Sequence, residues 1–238
     1  ERLGWQPGQD GLELMPHFTS RDLNTMGLQA RLVGYWANGI HNVILVTGDP
    51  PKMAPSYPPS TAVFDLTSVD LIRLVNNGLN AGVDFGGQAL GKHADPRTRF
   101  TIGTGFEPES LDLTAEMEKL TRKIEAGADY IMTQPAFAWE PLEVLSEVRQ
   151  SVPVLVGVLV LTSLDHALRM RQVPGVVVPE AVLDRFGQSD DRASQAQVGR
   201  DLAAEQIRRI QSEEWAGVYL MSPASHDPVI DVLRAGLT

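Results

Sequence analysis

The stretch Leu45-Val46-Thr47-Gly48-Asp49-Pro50-Pro51-Lys52 is an apolar run cut off by a glycine, a carboxylate and two prolines. Proline has no backbone N–H to give to a sheet ladder and fixes φ, so Pro50-Pro51 takes the chain out of regular structure directly after Asp49. The run before it reads as a buried strand, which puts Asp49 at that strand's C-terminal end.

Working outward, the same pattern recurs. Short β-rich runs lie at 12–19, 42–47, 99–105, 130–134, 153–161 and 217–221. Between them stand helical segments with apolar residues three or four apart, Leu28, Leu32 and Tyr35 in one and Met117, Leu120 and Ile124 in another. Gly39 and Gly127 follow these as helix C-caps, and a longer helix is expected to run from about 192 to 213. Residues 50–59 form a proline-rich loop, 82–96 a glycine-rich one and 187–192 a polar one, and each leads straight into a further element. No domain linker is evident, so residues 1–238 are read as one domain. Strands alternating with helices define an α/β protein with a parallel sheet.

An open doubly wound sheet and a closed barrel both fit that alternation. The dinucleotide fingerprint of the first is missing, since the glycines of Gly103-Thr104-Gly105 stop short of Gly-x-Gly-x-x-Gly. The barrel is favoured because special or polar residues recur at strand ends: His17, Thr19, Asp49, Phe106, Glu107, Gln134, Thr162 and Ser222. That is where barrel enzymes place their chemistry. Only six strands can be counted, and the chain starts at Glu1 rather than at a methionine. The expectation is therefore a (βα)8 TIM barrel whose first two βα units are missing from this chain.

Composition narrows the function. Twenty Lys and Arg against thirty Asp and Glu leave a formal charge of −10, which argues against nucleic acid as a partner. Cysteine is absent, so no disulfide, thiolate metal site or Cys nucleophile is available, and cytoplasm is the default location. No apolar run approaches the roughly 18 residues of a membrane span, and no leader peptide is read at the start. Gly-x-Ser-x-Gly and the Walker phosphate loop are also absent, with Ser222 standing in Met-Ser-Pro.

Asp49, at a strand end beside Gly48, can accept paired hydrogen bonds from an amide or guanidine-like edge. Near a redox cofactor its charge would make the reduced form a better hydride donor; alternatively it caps its own Asp-Pro-Pro turn. His17 can bond a ligand, move a proton, or be a satisfied core histidine. Metal binding is not expected, because His41, His93, His166 and His226 are scattered. Gln134 repeats the Asp49 arrangement before Pro135 and offers donor and acceptor together, or else bonds a neighbouring loop. Lys119, Arg122 and Lys123 form a basic patch on one helix, suited either to a phosphate or to a solvated face balanced by Glu116 and Glu118.

At this point the chain resembles the methylenetetrahydrofolate reductase family. The resemblance rests on Leu45 to Lys52 and on Pro16-His17-Phe18-Thr19-Ser20-Arg21-Asp22, Asn38-Gly39-Ile40-His41-Asn42-Val43, and Phe64 through Asp70-Leu71. Lys123-Ile124-Glu125-Ala126-Gly127-Ala128-Asp129, running on to Met132-Thr133-Gln134-Pro135, completes it in family order. The form Thr47 to Lys52, with Phe64-Asp65-Leu66-Thr67-Ser68, is most similar to the reductase half of bacterial bifunctional proteins that carry a homocysteine methyltransferase.

The resemblance implies a flavoprotein oxidoreductase of one-carbon metabolism and methionine biosynthesis. Such enzymes pass hydride from NADH or NADPH through FAD to methylenetetrahydrofolate, giving methyltetrahydrofolate. By the same resemblance Asp49 lies near flavin and pterin, and Gln134 contacts the folate. His17, Thr47, Gly48, Ser68, Thr104 and Phe106 contact FAD, and Lys119, Arg122 and Lys123 meet its adenine nucleotide and phosphates. Leu164 stands where the family often has an aromatic residue against folate or nicotinamide. The family's general-acid glutamate belongs to its first barrel strand and has no counterpart here, Glu1 included.

Two other readings stay open. One is a non-catalytic folate- or flavin-binding barrel serving a methyltransferase partner. The other is a barrel remnant stabilised as a homo-oligomer, because six strands leave an open edge.

Overall fold

The structure is a computed structural model that describes residues 13–53, 60–91, 95–189, 191–222 and 227–237. Within them strands and helices alternate as β1 (His17–Thr19), α1 (Thr25–Ala37), β2 (Asn42–Val46), α2 (Ser68–Asn77), β3 (Thr101–Phe106) and α3 (Leu113–Glu125). Then come β4 (Tyr130–Pro135), β5 (Val154–Leu159), α4 (Leu164–Met170), α5 (Glu180–Gly187), α6 (Arg192–Ser212), β6 (Gly217–Met221) and α7 (Asp227–Leu237). Two compact units emerge, Glu1–Gly105 with Glu118–Asp129, and Phe106–Met117 with Tyr130–Thr238.

In the first unit β1, β2 and β3 pair in parallel, with His17 opposite Ile44, Val43 opposite Ile102 and Leu45 opposite Thr104. Val43, Ile44 and Leu45 are all buried, as in a parallel sheet covered on both faces. Val43 and Leu45 share one face and one core with Leu28 and Leu32 of α1 and Leu71, Ile72 and Val75 of α2. Gly39 and Gly127 end α1 and α3 as the sequence reading has it: Ile40 N–H donates to Tyr35 O (3.0 Å) and Ala128 N–H to Lys123 O (3.1 Å).

The second unit repeats the pattern with β4, β5 and β6, also parallel, pairing Met132 with Leu155 and Gly157 with Tyr219. Its core gathers Leu159, Leu161, Val176, Val178, Leu183 and Phe186. The β4–β5 register shifts between Met132 and Pro135. There Gly157 N–H donates to Thr133 Oγ1 at 2.8 Å. A Cβ at Gly157 would lie 2.5 Å from Thr133 O and 2.7 Å from Gln134 O, so the shift needs a glycine on the facing strand.

The α/β parallel class is as read from the sequence, and six parallel strands in chain order correspond to part of a (βα)8 barrel. Strand bounds shift by one or two residues at β2, β3 and β4, and three further details differ. β1 begins at His17 rather than 12, because Pro16 cannot donate to the ladder, although its carbonyl accepts from Ile44 N–H (3.0 Å); residue 12 lies outside the described residues. β5 ends at Leu159, two residues short of 161. On α3 the buried line is Glu116, Leu120 and Lys123, one step round from the expected Met117, Leu120 and Ile124.

No described helix is long and apolar enough to cross a membrane. Among the described residues no three His, Asp or Glu are grouped to hold a metal ion.

Candidate active site

β2 ends in Thr47-Gly48-Asp49. Gly48 has φ +86°, and a Cβ there would lie 2.9 Å from both Cβ and Cγ2 of Thr19. Both the backbone conformation and the approach of β1's last residue therefore demand glycine. Thr47 Oγ1 accepts Ser68 N–H (3.2 Å), fastening the first turn of α2 to this strand end. The turn is itself closed by a capping box between Thr67 and Asp70. The Thr67 hydroxyl bonded to Asp70 holds that carboxyl below its usual range.

Asp49 is exposed, and among the described residues its carboxylate has no hydrogen bond or ion pair; its carbonyl accepts from Arg21 Nη1 at 3.1 Å. The alternative in which Asp49 caps its own turn has no support here. Thr104 is fully buried on β3 and donates its hydroxyl to Leu45 O (3.3 Å). His17 opens β1 instead of closing it and is exposed, so it is not a core histidine. Partial desolvation nevertheless lowers its pKa from the ordinary 6.5.

The three cations of α3 do not form one patch. Arg122 is exposed, with Nε 3.4 Å from Glu118 O, and Lys119 is half-buried. Lys123 is only 4% exposed and donates from Nζ to Gly105 O at 2.6 Å. Its ammonium thus sits at the C-terminal end of β3.

The second unit supplies Phe106, Gln134 and Leu164. Phe106 is fully buried. Gln134 is exposed within the register shift, between buried Thr133 and Pro135. Leu164 opens α4 and packs against the core that holds Leu161, Val176 and Val178. Its N–H donates to Gln195 Oε1 (3.0 Å). The turn before it is fixed by Ser163 Oγ, which accepts His166 N–H (3.1 Å), and by Thr162 N–H, which donates to His166 Nδ1 (3.2 Å). His166 is buried, and desolvation, then the Arg169 charge, lower its pKa from 6.5. An Nδ1 that accepts must be unprotonated, so the ring is neutral.

Asp49 belongs to the first unit and Gln134 to the second. Ser222 directly follows β6, while His93, His226 and Pro223-Ala224 lie outside the described residues. Sequence reasoning assigned no role to Arg21 or Asp22, although both stand in the Ser-Arg-Asp that follows β1.

Parallel strands each leading to a helix, with an exposed carboxylate just past β2 and an exposed amide near the end of β4, define an α/β chain of the barrel class. The chain belongs to the methylenetetrahydrofolate reductase family, whose model matches residues 7–234. Among curated relatives, methylenetetrahydrofolate reductase 2 of Saccharomyces cerevisiae is 25% identical over 211 residues, covering 84% of this chain and 32% of that protein. The 5,10-methylenetetrahydrofolate reductase of Escherichia coli is 26% identical over 208 residues, covering 85% of this chain and 63% of that one. The chain thus spans about a third of the yeast relative and under two thirds of the bacterial one. A solved structure, an uncharacterised Clostridium thermocellum protein described as binding two copies of 5-methyl-5,6,7,8-tetrahydrofolic acid, aligns with TM-score 0.47 and 10% identity. That alignment covers 94% of this chain and 93% of that one.

Proposed function

We propose that this chain is the catalytic part of a flavin-dependent methylenetetrahydrofolate reductase. The observation that carries the reading is the family match over nearly the whole chain. The donor set suits FAD. Backbone and hydroxyl groups after β2 and at the start of α2 would hold the flavin edge through Thr47, Gly48 and Ser68, with His17, Thr104 and Phe106 assigned to FAD by resemblance. On α3, exposed Arg122 and half-buried Lys119 would meet the dianionic phosphates; Lys123 is assigned there by the resemblance, although its ammonium donates to Gly105 O. When bound, FAD supplies the hydride relay from NADH or NADPH to the methylene carbon.

The chain's own residues bind and orient. Asp49, without a partner among the described residues, is available to accept the N–H edge of the pterin. By the resemblance Gln134 would contact the folate with its amide, and Leu164 stands where the family often has an aromatic residue against folate or nicotinamide. A cytoplasmic location, from the absence of cysteine, a homo-oligomeric state, from the open edge of six strands, and a homocysteine methyltransferase as partner or fused module, from the resemblance, complete the proposal.

The first test is the visible spectrum of the gene-length protein, followed by anaerobic addition of NADH or NADPH. A flavin spectrum that bleaches is expected. A colourless protein that takes up no FAD would overturn the flavoenzyme reading in favour of a folate-binding barrel without reductase activity. Asp49→Asn is expected to slow folate reduction at least tenfold while flavin reduction by the nicotinamide nucleotide changes little. Equal losses in both half-reactions would remove Asp49 from the pterin.

A further inference from the structure

We propose that Arg21 is a positioning residue that fixes the main chain of Asp49; its consequence for catalysis rests on the function proposed above. After β1 the chain bends through Ser20-Arg21-Asp22. The Arg21 guanidinium is gripped twice by the Asp22 carboxylate, Nε to Oδ1 at 2.6 Å and Nη2 to Oδ2 at 3.0 Å. Nη1 is thereby left pointing at the Asp49 carbonyl, to which it donates at 3.1 Å. Asp22 is steadied in turn by the Thr19 hydroxyl (3.1 Å). A planar fork bonded on one edge to a carboxylate has its remaining N–H fixed in direction, which a flexible ammonium lacks.

The need for such a tie follows from the sequence. Asp49 is followed by Pro50 and Pro51, neither of which has an N–H, so the carbonyls are the handles by which this turn can be anchored. The main chain of Arg21 is committed as well. Its carbonyl accepts Val63 N–H (2.8 Å), directly before Phe64, a bulky residue held at φ +48°. Strained backbone persists only where its surroundings over-determine it. Arg21 thus joins the exit of β1, the exit of β2 and the approach to α2. With its main chain held, the Asp49 carboxylate moves only about its own side-chain torsions, and a misplacement of about 1 Å can cost on the order of a hundredfold in rate.

The test compares wild type with Arg21→Gln and Arg21→Lys by amide exchange and by the two half-reactions. Exchange of peptides covering 45–53 is expected to speed up in Arg21→Gln and less in Arg21→Lys, while α1 and the body of β2 keep their protection. Folate reduction is expected to fall about tenfold or more in Arg21→Gln, with flavin reduction within about twofold. Unchanged exchange at 45–53 overturns the proposal. So does a uniform rise across β1, β2 and α2 with a matching fall in melting temperature, which would make Arg21 a general stabiliser. Faster local exchange with unaltered folate reduction supports the tie and overturns instead the role given to Asp49.

Discussion

Gly48 shows how little freedom the strand end has. Its φ of +86° and the 2.9 Å approach of the Thr19 side chain together predict that Gly48→Ala costs about 1–3 kcal/mol in denaturant unfolding. A loss under about 0.5 kcal/mol would mean that β1 gives way easily. Asp49's place was legible from sequence because two prolines stop a strand wherever it lies. Arg21 was not, since consecutive residues face apart in a helix or a strand. Only the bend at 20–22 closes the Arg21–Asp22 pair. The burial of Lys123 was not legible for a related reason: charge spacing along a helix says which residues share a side, but not which side the sheet will cover.

At the scale of elements, α4 carries a titratable lock at its start. A histidine whose pKa lies below 6.5 when folded binds fewer protons folded than unfolded between those two values. Stability is therefore full above pH 6.5, falls as pH drops through that value, and levels off below the folded pKa. His17 adds to the slope in the same direction. His166→Gln keeps an acceptor for Thr162 N–H without titrating, so its melting temperature is expected to depend less on pH between 7 and 5 than that of wild type. Parallel slopes would clear His166 of the effect. The strands themselves were legible because apolar runs and the residues that stop them are local. The β4 register shift was not, being set by Gly157 on another strand. α3 misled because Glu116 and Lys123 are buried, at 7% and 4% exposure, where periodicity assumes apolar residues.

For the whole molecule, alternating strands and helices conveyed the parallel α/β class, whereas the division into two cores depends on contacts between residues far apart in the chain. Reading residues 1–238 as one domain makes a sharp prediction. Leu32→Ala in one core and Phe186→Ala in the other, both fully buried, should each cost about 2–5 kcal/mol and shift one shared unfolding transition. Two transitions, each moved by only one substitution, would mean that the cores melt independently.

The buried ammonium of Lys123 also has a chemical consequence. Acylating reagents need an amine that is deprotonated and reachable, and this one is nearly covered and spent on the Gly105 carbonyl. Among the lysines of the described residues, Lys52 is exposed and should be modified first under limiting reagent, with Lys123 last. The lag between the two mass increments then becomes a clock for how often α3 lifts from the end of β3.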